Sequence, residues 1–222
     1  MNGDCQMKKS LPCALRECEE QLNSETFDME SKSCEKRRIL LHSCCGPCST
    51  ACIERLLPNY KVTIFYYNPN ITDRDEYEKR KANQIKFIEA FNEDVPDEDI
   101  VVFIEGEYLP EDFFDVAKGL EDCPEGGDRC TECFKLRLDR TAKAAVAMGY
   151  PIFGTTLTVS PHKNYQLISA IGTQLGEIYE IEFLDMDFKK KAGFQRSIEL
   201  SKKYELYRQN YCGCEFSKWE DK

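Results

Sequence analysis

Residues 39–48 read Ile39-Leu40-Leu41-His42-Ser43-Cys44-Cys45-Gly46-Pro47-Cys48, and this stretch decides the fold. The short apolar run at its start has the length and composition of a buried strand. Gly46 and Pro47 form a turn, and Pro47 also suits the first turn of a helix. Ligands bind outside the carboxyl ends of strands in parallel sheets. The loop that begins at Cys44 therefore lies where a functional site is expected.

Short apolar runs continue to alternate with longer helical stretches along the chain. Runs rich in β-branched and aromatic residues predict three more strands, at residues 61–67, 100–104 and 151–157. Helices are predicted between and after the strands, at residues 49–57, 73–91, 128–148 and 164–179. This alternation predicts an α/β fold with a parallel sheet flanked by helices. Residues 189–217 look helical, and we expect this C-terminal segment to cover the strand ends.

Length and composition indicate the domain organisation. The chain of 222 residues can bury one sizeable core, so we expect a single α/β domain over residues 38–222. Residues 1–37 are rich in acidic and polar residues and predict a flexible N-terminal extension. That extension also carries four cysteines at no metal-ligand spacing, namely Cys5, Cys13, Cys18 and Cys34.

Thirteen cysteines are the one strong departure from ordinary composition. Disulfide scaffolds are typically short secreted chains, and the N-terminus shows no basic and then apolar leader, so a reducing, cytoplasmic location is expected. No stretch approaches the roughly 18 consecutive apolar residues of a membrane span. We therefore expect a soluble protein with no membrane partner.

The net charge of −10 argues against tight, indiscriminate phosphate binding. Positive charge is nevertheless concentrated in the last third of the chain, at Lys189-Lys190-Lys191, Arg196, Lys202-Lys203 and Arg208. These residues could face a nucleic acid, although a solvated helix face explains them equally well on charge alone.

Two groups of cysteines have the spacing of metal ligands. The loop after the first strand offers Cys44, Cys45 and Cys48, and Cys130-x-x-Cys133 begins a predicted helix, where both sulfurs can point to one side. Together they supply enough thiolates for a cubane iron–sulfur cluster. The scarcity of histidine argues against a mixed Cys/His zinc site, but an all-cysteine structural zinc site stays open.

A third group is Cys212-Gly213-Cys214, in which one glycine separates two thiols. This spacing allows either a strained, reducible disulfide or chelation of a second metal. Weaker leads are the residues from Tyr66 to Ile71 after the second strand and the hydroxyl-rich residues from Thr155 to Lys163 after the fourth. They could bind a base or a sugar, although ordinary turns use the same residue types.

Five ordered motifs between about Arg38 and Ser217 allow a comparison with known families. They are Leu41-His42-Ser43-Cys44-Cys45-Gly46-Pro47-Cys48, Tyr67-Asn68-Pro69-Asn70-Ile71, Arg129-Cys130-x-x-Cys133-Phe134-x-x-Arg137-Leu138, Thr155-Thr156-Leu157-x-x-Ser160-Pro161 and Tyr207-Arg208-Gln209-x-Tyr211-Cys212-Gly213-Cys214. In these motifs the chain resembles the QueH-type epoxyqueuosine reductases, which perform the last step of queuosine formation in tRNA. It departs from the family pattern at Gly154, where a third threonine is expected.

The resemblance implies a nucleotide-hydrolase-like sheet of the HUP type and an iron–sulfur catalytic domain. It implies a [4Fe–4S] cluster held by Cys44, Cys45, Cys130 and Cys133. It also implies a second centre beside the cluster, either a mononuclear iron or a redox-active pair, drawn from Cys48, Cys212 and Cys214. Cys48 is favoured as a ligand of the second metal, and these three cysteines would form the reactive edge.

The implied substrate is tRNA that carries epoxyqueuosine in its anticodon loop, and an electron donor of unknown identity is implied as well. The target base could stack on Tyr66 or Tyr67, and Tyr67, Tyr211 or a thiol could donate the proton. The residues expected to contact substrate are Tyr67, Asn68, Asn70, Thr155, Thr156, Ser160, Arg208 and Gln209.

Two other classes compete with a reductase. A tRNA-thiolating or adenylating enzyme on a related sheet would want a Gly/Ser-rich phosphate loop after the first strand, but Ser43-Cys44-Cys45-Gly46 stands there. A non-catalytic zinc-thiolate module that binds tRNA would be colourless and without redox activity.

Overall fold

A computed structural model of the chain describes residues 35–217. Its centre is a five-stranded sheet in which every strand is parallel to its neighbours, in the order β3-β2-β1-β4-β5. The strands are β1 (Arg37–His42), β2 (Tyr60–Tyr66), β3 (Val102–Glu105), β4 (Ile152–Thr155) and β5 (Glu182–Phe183). The predicted α/β fold with a parallel sheet flanked by helices is confirmed.

Six α-helices accompany the sheet in the described part of the chain: α1 (Gly46–Leu56), α2 (Arg74–Asn92), α3 (Pro110–Ala117), α4 (Asp128–Ala147), α5 (Tyr165–Tyr179) and α6 (Gly193–Lys203). Local sequence explains several of their beginnings. Asp73 caps α2 by accepting hydrogen bonds from two backbone N–H groups, and Asn164 caps α5 in the same way with one. Pro110 occupies the first turn of α3, where its missing N–H costs nothing.

Four strands and four helices lie where the sequence predicts them, within a few residues at each end. Two elements are absent from the prediction: β5, which is only two residues long, and α3. The segment 189–217 is helical only over α6 and a short 3-10 turn at Glu215–Ser217. The expectation of a largely helical C-terminal segment is therefore wrong for residues 204–214. These residues follow an irregular path, which is held by contacts with the rest of the fold.

The central strand β1 brings the site residues to one edge of the sheet. Ile39, Leu40 and Leu41 are fully buried, as expected of a strand that is covered on both faces. At the carboxyl end of β1, His42 pairs with Phe65 on β2 and with Thr155 on β4. The strand order reverses between β1 and β4, and a reversal of this kind opens a crevice in which doubly wound sheets bind their ligands.

The predicted flexible extension falls almost entirely on residues 1–34, which lie outside the described residues, as do its four cysteines. Within residues 35–217, no helix is both long and apolar enough to cross a membrane.

Candidate active site

The loop between β1 and α1 gathers three thiols. The Sγ atoms of Cys44, Cys45 and Cys48 all lie within 4.8 Å of one another, and those of Cys44 and Cys45 are 3.8 Å apart. Cys45 occupies the N-cap of α1, and Cys48 lies in its first turn. Cys44 and Cys45 are buried, whereas Cys48 is half-buried. The three sulfurs are thus close enough to bind one metal ion or one corner of a cluster.

Close packing of α1 against α2 fixes the shape of this loop. A Cβ atom at Gly46 would lie 2.7 Å from the backbone oxygen of Asn83, so only glycine permits the approach. The Ser43 hydroxyl donates to Gln84 Oε1 at 2.8 Å. From the C-terminal segment, Gln209 Nε2 donates to Cys45 Sγ at 2.9 Å. The cysteine loop is therefore held by contacts from α2 and from the C-terminal segment.

The start of α4 brings two further cysteines to this region. Cys130 packs in the same apolar cluster as Cys44 and Cys45, and its sulfur accepts a hydrogen bond from the backbone N–H of Gly126 at 3.2 Å. Cys133, one turn later, is buried in a cluster with Phe113 and Cys214. The N-terminal turns of α4 therefore connect the first cysteine loop with the C-terminal pair.

The loop that carries Cys212 and Cys214 is fixed by two cations. Arg80 on α2 is 1% exposed, and its guanidinium donates to the backbone oxygens of Tyr211 and Cys212. Lys163 Nζ donates to Cys212 Sγ at 3.3 Å. Every cysteine among residues 35–217 carries a free thiol, so the disulfide alternative for Cys212 and Cys214 is not what the structure shows.

A cavity of about 390 Å³ opens beside these thiols, which is within the range of small-molecule sites. Cys44, Cys48 and Cys212 supply sulfur to its wall. Three of the predicted substrate contacts also line it, namely Ser160, Arg208 and Gln209. The remaining predicted contacts do not belong to the wall: Tyr67, Asn68, Asn70, Thr155 and Thr156.

The residues outside the wall have identifiable structural contacts instead. Tyr67 is buried, stacks on Phe65 and donates its hydroxyl to Asp112. Its neighbour Tyr66 is also buried and donates to the backbone oxygen of Tyr77. Neither ring is available for stacking at the cavity, which removes the basis for expecting the target base there.

Asn68 and Thr155 form hydrogen bonds with the residues that join β1 to the cysteine loop. Asn68 Nδ2 donates to the backbone oxygen of Ser43, and its Oδ1 accepts from Arg137 Nη2 at 2.7 Å. Thr155 Oγ1 lies 2.9 Å from His42 Nδ1 and accepts from the Leu157 N–H. Both side chains therefore hold the strand ends in place.

Arg137 carries a guanidinium group that is buried next to the cysteines. It is 1% exposed, and its Nε donates to His42 Nε2 at 3.3 Å. The same Nε2 lies 3.2 Å from the backbone oxygen of Tyr67, and Nδ1 lies 2.9 Å from Thr155 Oγ1, so both ring nitrogens have partners whichever of them carries the proton. Burial, and then the charge of Arg137, lower the pKa of His42 to about 3. Burial lowers the pKa of Arg137, but the negative charge that Cys133, Cys44 and Cys212 carry when deprotonated raises it above its usual value.

The three thiols of the first loop do not ionise alike. Hydrogen bonds from Cys45 and Cys48 hold the pKa of Cys44 well below its usual range, and the charges of Arg137 and Lys163 act in the same direction. The pKa of Cys45 is raised to about 12, chiefly because its thiol donates to Cys44. Burial raises the pKa of Cys133 to about 12. Cys44 is therefore the first of these groups to become a thiolate.

Helix ends add to the positive potential of the cavity. The N-terminal turns of α1 and α6 contribute Cys48 and Phe194 to its wall, and Lys163 directly precedes the N-cap of α5. No acidic side chain stands in the first turn of any of these three helices. Uncompensated helix N-termini carry partial positive charge, and Arg137, Lys163 and Arg208 in the wall outnumber its one acidic residue, Glu125. The cavity therefore favours anionic ligands such as phosphates.

Three predicted substrate contacts carry buried polar atoms without a hydrogen-bond partner among residues 35–217, namely Asn70 Oδ1, Thr156 Oγ1 and Gln209 Oε1. Buried polar atoms are rarely left unpaired. Gln209 lines the cavity, and its amide nitrogen donates a hydrogen bond to Cys45 Sγ, whereas its amide oxygen, Oε1, has no partner among residues 35–217.

Sequence reasoning gave no role to several residues that shape the site. Arg137 stands in one of the quoted motifs, but nothing in the sequence indicates that it lies under the cysteines. Lys163 was visible only as one cation in a hydroxyl-rich run. Phe194 lines the cavity, yet the sequence pointed to Tyr66 and Tyr67 as the aromatic residues of the site, because they follow a strand directly. Tyr211, which the sequence offered only as a proton donor, lines the cavity as well.

Comparison with known proteins identifies the family to which this chain is related. The sequence model of the family described as Epoxyqueuosine reductase QueH matches residues 39–220. The chain belongs to the QueH family. The predicted membership is confirmed, and so is the prediction of an oxidoreductase, since QueH proteins are named as reductases.

Curated QueH proteins from several bacteria share much of the sequence. The protein named Epoxyqueuosine reductase QueH from Staphylococcus epidermidis is 46% identical over 185 residues, which cover 82% of this chain and 77% of the relative. Its namesake from Streptococcus pyogenes serotype M1 is 42% identical over 179 residues, covering 81% and 69%. The Thermotoga maritima protein is 37% identical over 182 residues, covering 81% and 89%.

Proposed function

We propose that this chain is an epoxyqueuosine reductase that converts epoxyqueuosine to queuosine in tRNA. The reaction removes the epoxide oxygen as water and consumes two electrons and two protons. The observation that carries the proposal is a cavity lined by Cys44, Cys48 and Cys212, with Cys130 packed against the first cysteine loop, in a chain that belongs to the QueH family. A thiol-rich chain of this kind also accords with the reducing cytoplasm, which we propose as its location.

The residues present fit an iron–sulfur cofactor. The sulfurs of the first loop lie within 4.8 Å of one another, Cys130 packs beside them, and the buried Arg137 supplies a positive charge that thiolates would balance. We propose that Cys44, Cys45, Cys130 and Cys133 hold a [4Fe–4S] cluster, with Cys48, Cys212 and Cys214 holding a second iron. When bound, these groups would supply single electrons and a Lewis acid.

The protein's own side chains would bind and orient the substrate. Ser160, Arg208 and Gln209 offer a hydroxyl, a guanidinium and an amide at the cavity wall. Lys163 Nζ holds Cys212 Sγ in place, while Arg80 fixes the backbone on either side of it. Of the proton donors considered, Tyr211 and the thiols of Cys48 and Cys212 line the cavity, whereas Tyr67 does not. Because metal-bound cysteines are thiolates without a proton, we propose Tyr211 as the donor.

The decisive experiment uses protein that is reconstituted with iron and sulfide without oxygen. We expect about four or more irons per chain, a brown colour, and conversion of epoxyqueuosine tRNA to queuosine tRNA with dithionite as reductant. Cys130→Ala should abolish both the cluster absorbance and turnover.

The matched control for Cys130→Ala is Cys52→Ala. Cys52 is fully buried and donates to the backbone oxygen of Cys48, but it belongs to no proposed ligand set, so this variant should keep its iron and its activity. Full activity of metal-free protein would contradict the proposal. Colourless protein with tightly bound zinc and no turnover would support the zinc-thiolate module instead.

A further inference from the structure

A basic loop lies beside the cavity, between β5 and α6. Its residues Lys190 and Lys191 are exposed, and neither makes an ion pair within residues 35–217. The preceding Lys189 turns inward, where its Nζ donates to the backbone oxygen of Lys163 at 3.0 Å. Because Lys163 belongs to the cavity wall, this bond ties the loop to the mouth of the site.

Contacts with the rest of the fold define the conformation of this loop. Phe188 is buried in the core beneath it, and Arg55 Nη2 donates to the backbone oxygen of Lys190 at 2.6 Å. Lys191 and Ala192 both have left-handed backbones, with φ of 55° and 57°. A Cβ atom at Gly193 would lie 1.8 Å from the Phe188 oxygen, so the turn into α6 requires glycine. Strained backbone of this kind persists where surrounding contacts enforce it, and it concentrates at functional sites.

Aromatic rings stand next to this loop. Phe194, in the first turn of α6, and Tyr211 both line the cavity and are half-buried. The guanidinium of Arg208 lies 5.7 Å from the centre of the Phe194 ring and donates to the backbone oxygen of Ser197 and to the hydroxyl of Ser201. The mouth of the cavity thus combines fixed rings with a fixed cation.

Unpaired cations beside aromatic rings are the features that bind single-stranded nucleic acid. Lysines contact the phosphates, and rings stack on unpaired bases. The whole chain has a net charge of −10, so the positive charge of the basic loop is a local concentration. A protein that bound RNA over its whole surface would show the opposite balance.

We propose that this face, which consists of Lys190, Lys191, Phe194 and Tyr211, is where the RNA substrate docks. Lys190 and Lys191 bind the phosphates that flank the target nucleotide, and Phe194 and Tyr211 stack on bases at the cavity mouth. The inference rests on the proposed function, from which it takes an RNA substrate, and it adds the surface that binds it.

The test measures binding of an unmodified tRNA anticodon stem-loop at several salt concentrations, by fluorescence anisotropy with reconstituted protein. The double variant Lys190→Ala/Lys191→Ala should lose roughly tenfold or more in affinity at low salt, with a slope of log K against log salt that is shallower by about 1.4, since two single-strand phosphate contacts are lost. The control Lys202→Ala, at the far end of α6, should leave both affinity and slope unchanged.

Stacking is tested separately from charge. Phe194→Ala should weaken binding without changing the salt slope, because stacking releases no counterions, and Phe194→Tyr should restore affinity. Iron content confirms that each variant is intact. Unchanged affinity and slope in the double lysine variant, in a preparation whose wild-type protein does convert the substrate, would overturn the docking face while leaving the proposed function standing.

A failure of the proposed function looks different, since wild-type protein would then not convert epoxyqueuosine tRNA at all. A third result would also overturn the docking face. If the double lysine variant keeps its RNA affinity and its turnover with dithionite but loses turnover with an acidic redox protein as donor, the loop binds the electron donor instead.

Discussion

Arg137 Nε donates to His42 Nε2 over 3.3 Å, which sets a permanent cation against a neutral ring in the interior. Arg80, the other guanidinium at 1% exposure, has the carboxylate of Glu76 within 2.6 Å. No carboxylate of residues 35–217 stands within ion-pair distance of Arg137. An unbalanced buried charge is costly, so the thiolates above Arg137 are its natural counter-charges.

The first prediction concerns Arg137→Gln. Loss of a buried positive charge favours the oxidised cluster, so its reduction potential should fall by on the order of 1.4 kcal/mol, about 59 mV for one electron. Arg137→Lys should restore most of it. Arg140→Gln is the matched control, since Arg140 follows on the same helix and pairs with Glu107 near the surface. A redox titration that gives one potential for all these proteins would refute the argument.

Gln209→Leu tests the hydrogen bond to Cys45. Hydrogen bonds to cluster sulfurs raise the reduction potential, so the variant should load the same amount of iron but have a lower potential. Asn210→Ala serves as control, because Asn210 lines the cavity without a described bond to a sulfur. If Gln209→Leu loads no iron, the amide is needed for assembly and this prediction fails.

Gly213→Ala should disturb the Cys212 loop. Gly213 has φ of 118°, and a Cβ atom there would lie 2.9 Å from Ile71 Cγ1 and 3.0 Å from Arg80 Nη1. The backbone strain alone costs about 1–3 kcal/mol, and displacement of Arg80 should reduce turnover at least tenfold while the absorbance of the [4Fe–4S] cluster remains.

The control for this variant is Gly119→Ala. Gly119 also has a positive φ, of 80°, but nothing lies within 4 Å of the added Cβ. It should lose a similar amount of stability from strain yet keep its turnover. Equal loss of turnover in both variants would show that general destabilisation, rather than the position of Cys212, is responsible.

Thr155→Val and Thr156→Val should differ in the free energy of unfolding, measured in urea with metal-free protein. Thr155 Oγ1 contacts both the His42 ring and the Leu157 N–H, so its loss leaves two buried groups, His42 Nδ1 and the Leu157 N–H, unpaired and should cost about 3 kcal/mol. Thr156 Oγ1 is buried without a partner among the described residues, so Thr156→Val should be neutral or stabilising. A large loss in Thr156→Val would mean that its hydroxyl has a partner.

Hydrophobic runs in the sequence were sufficient to predict β1, β2 and β4, because strands buried on both faces are continuous and apolar. The structure pairs His42, at the end of β1, with Thr155, at the end of β4. By contrast, β5 is two residues long and α3 only eight, too short for periodicity to distinguish them from turns.

The site was only partly predictable for a related reason. Cysteine spacing within one loop is local information, and it led to Cys44, Cys45 and Cys48. The path of residues 204–214 depends on long-range contacts such as Arg80 with Tyr211 and Gln209 with Cys45. Local helical preference could not anticipate them, nor could it reveal that Tyr67 faces Asp112 instead of the cavity.

The wide separation of the three cysteine groups along the chain has a consequence for how the protein is made. The thiols leave the ribosome in three widely separated groups, at 44–48, 130–133 and 212–214, and chains are synthesised at about 5–20 residues per second. The second iron, proposed to bind Cys48, Cys212 and Cys214, can be inserted only after Cys214 has emerged. For several seconds before that, Cys48 lacks its two partner ligands, so loading of the second iron follows translation instead of accompanying it.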